Sequence, residues 1–201
     1  DHAYLMQDSF LGDGMYATNS WDTDFRGGSY AAKEGFGFEI QDSDETELCS
    51  MTKHFMAVES GKVTFETAFK IKETTKNGFF YELTGNGKRL FKFITNGDML
   101  YLEGKDKKQP LDNYKGDERI SVKAIIDLDN NIAEISINGK KLGEFKTCDQ
   151  VEMFDCVTIS TSKEEEMNVS IEFVYIYINY IINEKFLTGE EGSTPDDWEL
   201  V

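Results

Sequence analysis

Two carboxylates and a few aromatic rings are the residues here whose types and spacing could do chemistry. Glu82 lies in the segment Phe79 to Thr84 and Glu134 in Ile132 to Asn138, and alternating polarity turns each away from its segment's apolar side chains. Cleaving a glycosidic bond needs two carboxyl groups about 5 to 10 Å apart. Glu82 with Glu134 could form such a pair, although a solvated sheet surface offers carboxylates at the same places. Phe80, Met99, Tyr101, Lys92 and Lys123 share the outward parity. Flat rings beside charged or amide groups are what stacking on a pyranose and binding its hydroxyls require. Tyr30 in "FRGGSYAA" and Tyr114 in "PLDNYKGDER" are loop rings of the same kind. Asp127 and Asp129 in "DLDNN" carry oxygens of the type calcium takes, and are equally the residues that turns prefer. The binding candidates are therefore Tyr101, Phe80, Glu82, Lys92, Glu134 and Tyr114, and the metal candidates Asp127 and Asp129.

Other chemistries find no support. His2 and His54 are the two histidines, and neither accompanies a nucleophile elbow. "GNG" at Gly85 to Gly87 joins two strand-like segments and does not open a helix, so it is a turn and not a phosphate cradle. Cys49, Cys148 and Cys156 match no metal-ligand spacing, and free thiols are expected. The formal charge of −17 repels phosphate backbones and anionic lipid surfaces, which excludes nucleic acid as a natural partner. The apolar run Phe173 to Ile182 is too short to cross a bilayer and reads as a buried strand, so no membrane insertion is expected.

The elements that must position these residues are strands. Short β-rich runs separated by Gly, Asn and Asp predict Gly35 to Gln41, Thr46 to Met51, Lys62 to Lys72, Phe79 to Thr84, Arg89 to Thr95, Met99 to Glu103, Ile120 to Asp127, Ile132 to Asn138, Lys141 to Phe145, Val157 to Ser162 and Val169 to Tyr180. That many strands need two sheets. Asn77-Gly78, Asn86-Gly87, Asn96-Gly97 and Asn138-Gly139 supply hairpin turns, which predicts a nearly continuous antiparallel meander from Lys62 to Phe145. Alternation then puts Val63, Phe65, Phe69, Tyr81, Phe91, Phe93, Val122 and Ile135 in the core and gathers the polar positions on a single outer face. A weak repeat bears on domain organisation. Asp8, Phe10 and Trp21 recur as Glu184, Phe186 and Trp198, so residues 1–182 read as one module and 183–201 as the start of a following module or a linker. The shared Trp position predicts a structural anchor and not a ligand platform.

Taken in order, "SGKVTFETAFKI", "GFFYELTGNGKRLFKFITNGDMLYLEG", "RISVKAIIDLDNNIAEISINGKKLGEF" and "VSIEFVYIYI" resemble the strands of concanavalin A-like, laminin-G-like jelly-roll modules appended to secreted bacterial polysaccharide-degrading proteins. The resemblance implies an all-β, two-sheet antiparallel β-sandwich. It also implies a non-catalytic carbohydrate-binding accessory module, secreted or on the bacterial cell surface, that binds a polysaccharide or other glycan on the outer concave face or rim loops. Adjacent modules of the same polypeptide and a structural calcium belong to the same expectation. Catalytic members of that fold present alternating carboxylates on one strand, a pattern missing here. The alternatives are a structural spacer or adhesion repeat, and a polysaccharide lyase or glycoside hydrolase domain.

Overall fold

The computed structural model describes residues 2–10, 21–33, 37–73, 78–104, 108–163 and 165–179. Its strands are β1 (His2–Asp8), β2 (Asp22–Asp24), β3 (Gly28–Lys33), β4 (Gly37–Asp42), β5 (Ser50–Val58), β6 (Lys62–Ile71), β7 (Phe80–Gly85), β8 (Lys88–Asn96), β9 (Met99–Glu103), β10 (Lys108–Asn113), β11 (Arg119–Asp127), β12 (Ile132–Ile137), β13 (Lys140–Lys146), β14 (Phe154–Ser160) and β15 (Met167–Asn179). They form two antiparallel sheets. The first runs β13-β12-β11-β6-β15-β4-β3, with β1 added to the far half of β15; the second runs β10-β9-β8-β7-β14-β5-β2. This is the expected two-sheet β-sandwich.

Its connectivity differs from the single predicted meander. β6 pairs with β11 and β15, not with β7. The chain therefore crosses to the second sheet after β6, makes the meander β7 to β10 there, and returns for β11 to β13. Alternation fixes which side chains point inward but does not say on which sheet a strand lies, because both sheets turn their apolar faces to the same core. Two of the predicted turns follow their sequence, while Asn96 of a third belongs to β8 and pairs with Met99, so that Gly97, at φ 63°, and Asp98 make that turn. Asn86 and Gly87 have φ of 49° and 73°, and Asn138 and Gly139 have 49° and 78°, the positive pairs that two-residue hairpins require. Asn77, of the first predicted turn, lies outside the described residues.

The core holds the predicted residues. Phe65, Phe69, Phe79, Tyr81, Phe91, Phe93 and Ile135 are all buried. Phe69 packs on Phe79 at 5.2 Å and on Tyr81 at 5.4 Å between ring centroids, which fastens β6 to the opposite sheet. The Tyr81 hydroxyl lies 3.0 Å from Thr67 Oγ1, which donates to the Phe173 carbonyl at 2.7 Å, so this deeply placed phenol is not left unpaired. Four strands, β1, β2, β3 and β10, fall outside the sequence prediction. β5 begins at Ser50, later than the expected Thr46 to Met51, and continues to Val58.

Trp21 is buried. Its indole Nε1 donates to Asp8 Oδ2 at 2.7 Å, and its ring faces Phe10 at 5.9 Å, which in turn stacks on Phe38 at 5.5 Å. This fulfils the expected anchoring role. Phe186 and Trp198, and the following module read from 183–201, lie outside the described residues.

Candidate functional site

Pairing across β10, β9, β8 and β7 lines up two rows on the outer face of the second sheet. One row is Pro110, Tyr101, Ile94 and Phe80; the next is Lys108, Glu103, Lys92 and Glu82. Four of the predicted binding residues, Phe80, Glu82, Lys92 and Tyr101, thus share one surface. Beyond Glu82 the second row continues into Thr158 of β14 and Thr52 of β5, whose hydroxyls are 2.9 Å apart. The rings are half-buried, and each carries an ammonium group. Lys92 Nζ lies 3.9 Å from the Phe80 ring centroid and Lys108 Nζ 4.6 Å from that of Tyr101.

Arg89 belongs to the same face although strict alternation places it inward with Phe91. A bulge between β7 and β8 puts Leu83 opposite Phe91 and Thr84 opposite Arg89, leaving Leu90 as the extra residue. Leu90 and Phe91 are both buried in consequence. The Arg89 guanidinium then reaches Glu82 Oε2 at 2.6 Å and Glu103 Oε2 at 3.7 Å, while its Nε is buried with no hydrogen-bond partner. Sequence reasoning missed Ile94, Lys108, Glu103 and Arg89. Parity alone could have found Ile94, which stands two residues from Lys92.

Two binding candidates are corrected by their positions. Glu134 lies on the outer face of the first sheet, opposite Glu144 and Ile125, and accepts a hydrogen bond from Lys141. Packed sheets stand about 10 Å apart, so the whole sandwich separates Glu134 from Glu82 and the two cannot flank one bond. Tyr114 is not an exposed loop ring: it is only 4% exposed, and its hydroxyl donates to the Gly97 carbonyl at 2.8 Å, closing the β8-β9 turn. Tyr30 sits at the sandwich edge against Phe25 at 4.7 Å and Phe38 at 5.4 Å.

Asp127 and Asp129 frame the β11-β12 turn. Asp127 accepts from the Asn130 side chain and backbone at 3.0 Å each, and Asp129 from Gly61 N at 3.1 and 3.2 Å. The Asn130 bonds hold the Asp127 carboxyl below the ordinary carboxylate range. Among the described residues no three His, Cys, Asp or Glu side chains converge as metal ligands. Cys49, Cys148 and Cys156 are free thiols.

The first sheet presents a second aromatic group that the sequence reading took as part of a buried strand. Phe173 and Tyr175 are half-buried on the outer side of β15, while Tyr177 beyond them is only 4% exposed; Phe173 lies on Tyr175 at 4.5 Å, Tyr175 on Tyr4 at 5.8 Å, and Tyr4 on Tyr177 at 5.5 Å. Tyr177 OH donates to Glu66 Oε2 at 2.9 Å.

A cavity of about 230 Å³ opens beside the end of β4, lined by Asp42, Lys72, Glu165, Glu166 and Asn168. Asp42 ends the inward row Phe38, Ile40, Asp42 and is 3% exposed. Burial raises its carboxyl above the ordinary value of 3.8, against hydrogen bonds from Thr161 Oγ1 and Asp44 N and with help from the charges of Asp44 and Glu166. The folded chain therefore binds this proton more tightly than the unfolded chain. The stability so contributed is complete in acid and is lost as pH rises from 3.8 through the raised folded value. Asp42→Asn removes the titration, so the variant should gain stability relative to the parent as pH increases. Urea midpoints of both proteins between about pH 3.5 and pH 7 test this. A difference that stays constant with pH would contradict the assignment.

No family model matches the sequence, and no curated protein matches it. Solved structures do. A sialidase superposes over 87% of this chain with TM-score 0.73 at 13% identity, this chain spanning 18% of it. The fold is a concanavalin A-like jelly roll. The carbohydrate recognition domain of Emp47p matches 88% of this jelly roll and 98% of its own chain, with TM-score 0.58 at 13% identity. The binding domain of botulinum neurotoxin DC, in complex with SialylT, matches 78% of the jelly roll, which spans 42% of that chain, with TM-score 0.58 at 13% identity.

Proposed function

We propose that this jelly roll is a non-catalytic glycan-binding module whose ligand lies on the outer face of the second sheet, across β10, β9, β8 and β7. The observation that carries it is the in-register strip of Tyr101, Ile94 and Phe80 beside the polar row of Lys108, Glu103, Lys92 and Glu82. An apolar strip for ring faces next to charged groups for hydroxyls is the arrangement that sugar recognition uses. Two of the similar folds support the reading, one being a carbohydrate recognition domain and another a sialidase. The separation of Glu82 from Glu134 across the sandwich favours binding over glycosidase chemistry by that pair. In a multimodular extracellular protein such a module would hold a linked catalytic domain close to an insoluble or crowded substrate, as a matter of effective concentration.

The test is a glycan array followed by affinity electrophoresis on the glycans retained. Phe80→Ala and Tyr101→Ala are each expected to weaken binding by roughly tenfold or more, at about 1.4 kcal/mol per tenfold, while Tyr4→Ala on the other sheet leaves it unchanged. Retention of no glycan would remove the function, and loss only with Tyr4→Ala would move it to the opposite face.

A further inference from the structure

The strip just described has its ring faces covered before any ligand arrives. Lys92 Nζ sits 3.9 Å over Phe80 and Lys108 Nζ 4.6 Å over Tyr101, so each ammonium occupies the space in which a pyranose would stack. A neutral sugar would have to displace both cations and would offer them only hydroxyls in return. A sugar bearing an anion would offer each displaced ammonium a charge-assisted partner at the rim of the same ring.

The charge distribution along the chain points the same way. The whole sequence has 21 Lys and Arg against 38 Asp and Glu, yet the described residues of the meander, 80–104 and 108–113, hold four Lys and Arg (Lys88, Arg89, Lys92, Lys108) against four Asp and Glu (Glu82, Asp98, Glu103, Asp112). The meander β7 to β10 is thus a nearly neutral patch in a strongly negative chain, and over a Debye length of about 8 Å it is this local charge that a ligand meets. Within it Glu82 and Glu103 are already engaged by Arg89, at 2.6 and 3.7 Å, and Arg89 keeps its Nε unpaired. Both carboxylates of the row are therefore committed to a guanidinium, which leaves the two lysines that cap the rings as the cations able to turn to a ligand.

We infer that the glycan taken on this face is acidic, a carboxylate-bearing sugar of the uronic or sialic acid kind whose anion is received by Lys92 and Lys108 while its ring lies along Phe80, Ile94 and Tyr101. The inference rests on the glycan-binding reading and adds the ligand's charge to it. Removing one cap has a double consequence, because it deletes a partner for the anion and uncovers a ring for neutral sugar.

The experiment uses the 201-residue chain with matched pairs: polygalacturonate against the same polymer with its carboxyls reduced to alcohols, and sialyllactose against lactose. The acidic member of at least one pair should bind roughly tenfold or more tighter, the scale of one charge-assisted hydrogen bond. Lys92→Gln and Lys108→Gln, both half-exposed or exposed positions that leave the core intact, should each weaken the acidic ligand by a larger factor than its neutral partner, narrowing the preference within the pair. Equal binding within every pair, or variants that lower both members alike, would overturn the acidic assignment and leave glycan binding standing. Retention of neither member of any pair would overturn glycan binding by this face, and this inference with it.

Discussion

Trp21→Ala is expected to lower the unfolding free energy by about 3 to 5 kcal/mol, the range for removing a large buried aromatic side chain. Three contacts set that scale. The ring fills the space between Phe10 and the core, its Nε1 donates to Asp8 Oδ2 at 2.7 Å, and Lys53 Nζ sits 5.5 Å from its centroid and 3.7 Å from the same carboxylate oxygen. Asp8 also accepts from Phe10 N at 2.9 Å, which holds Phe10 at a φ of 49° and swings its ring inward. The group ties the end of β1, in the first sheet, to β2 and β5, in the second. Asp8→Ala should cost less, about 1 to 3 kcal/mol, for leaving the indole N–H without its acceptor. The double variant should then show a coupling of at least about 0.5 kcal/mol, because both changes break one cluster. Guanidinium denaturation of the four proteins measures all of this, and a loss below about 1 kcal/mol for Trp21→Ala would show that the clasp does not bear the junction. Glycan affinity of the folded variants should be unchanged, since Trp21 is 6% exposed and offers no face to a ligand.

How far the sequence went differs between core and surface. Alternation in β6, β7, β8, β11 and β12 was legible because a one-residue slip exposes Phe65, Phe91 or Ile135, and the paired Asn-Gly turns fixed the hairpins at Asn86 and Asn138. Four strands were not legible. β10, "KQPLDN", has a proline and exposed polar residues because it is an edge strand with one paired side, and β2 and β3 close the opposite edges. Glu134 illustrates the larger limit. Its outward direction followed from period two, but its sheet depended on β6 leaving for β11 and β15, a long-range choice that no local pattern encodes. Arg89 was hidden for the converse reason, since the bulge at Leu90 breaks the alternation that would have located it. Phe173 and Tyr175 looked like core because aromatic residues are apolar by composition, and only the register with Ala68 and Glu66 turns them outward, whereas Tyr177, opposite Thr64, is buried as expected.

Gly37→Ala should be among the most damaging single changes in the first sheet, for reasons of backbone and not of side chain. Gly37 has a φ of +80°, and a Cβ built there would stand 2.1 Å from the Ile171 carbonyl oxygen. That carbonyl belongs to β15 at its bulge between Ile171 and Phe173, where β4 and β6 flank the same strand. Neither neighbour can yield without moving the centre of the sheet. Left-handed backbone costs about 1 to 3 kcal/mol for a residue with a side chain, and forcing atoms into a packed interior about 1 to 3 more. A loss of roughly 2 to 6 kcal/mol follows from the two together. Gly61 separates them, because its φ is +76° and a Cβ there meets nothing within 4 Å. Gly61→Ala should therefore show the backbone cost alone, and the excess destabilisation of Gly37→Ala in urea measures how closely β4 is pressed onto β15. Equal losses for the two variants would mean that the approach at Gly37 is slack.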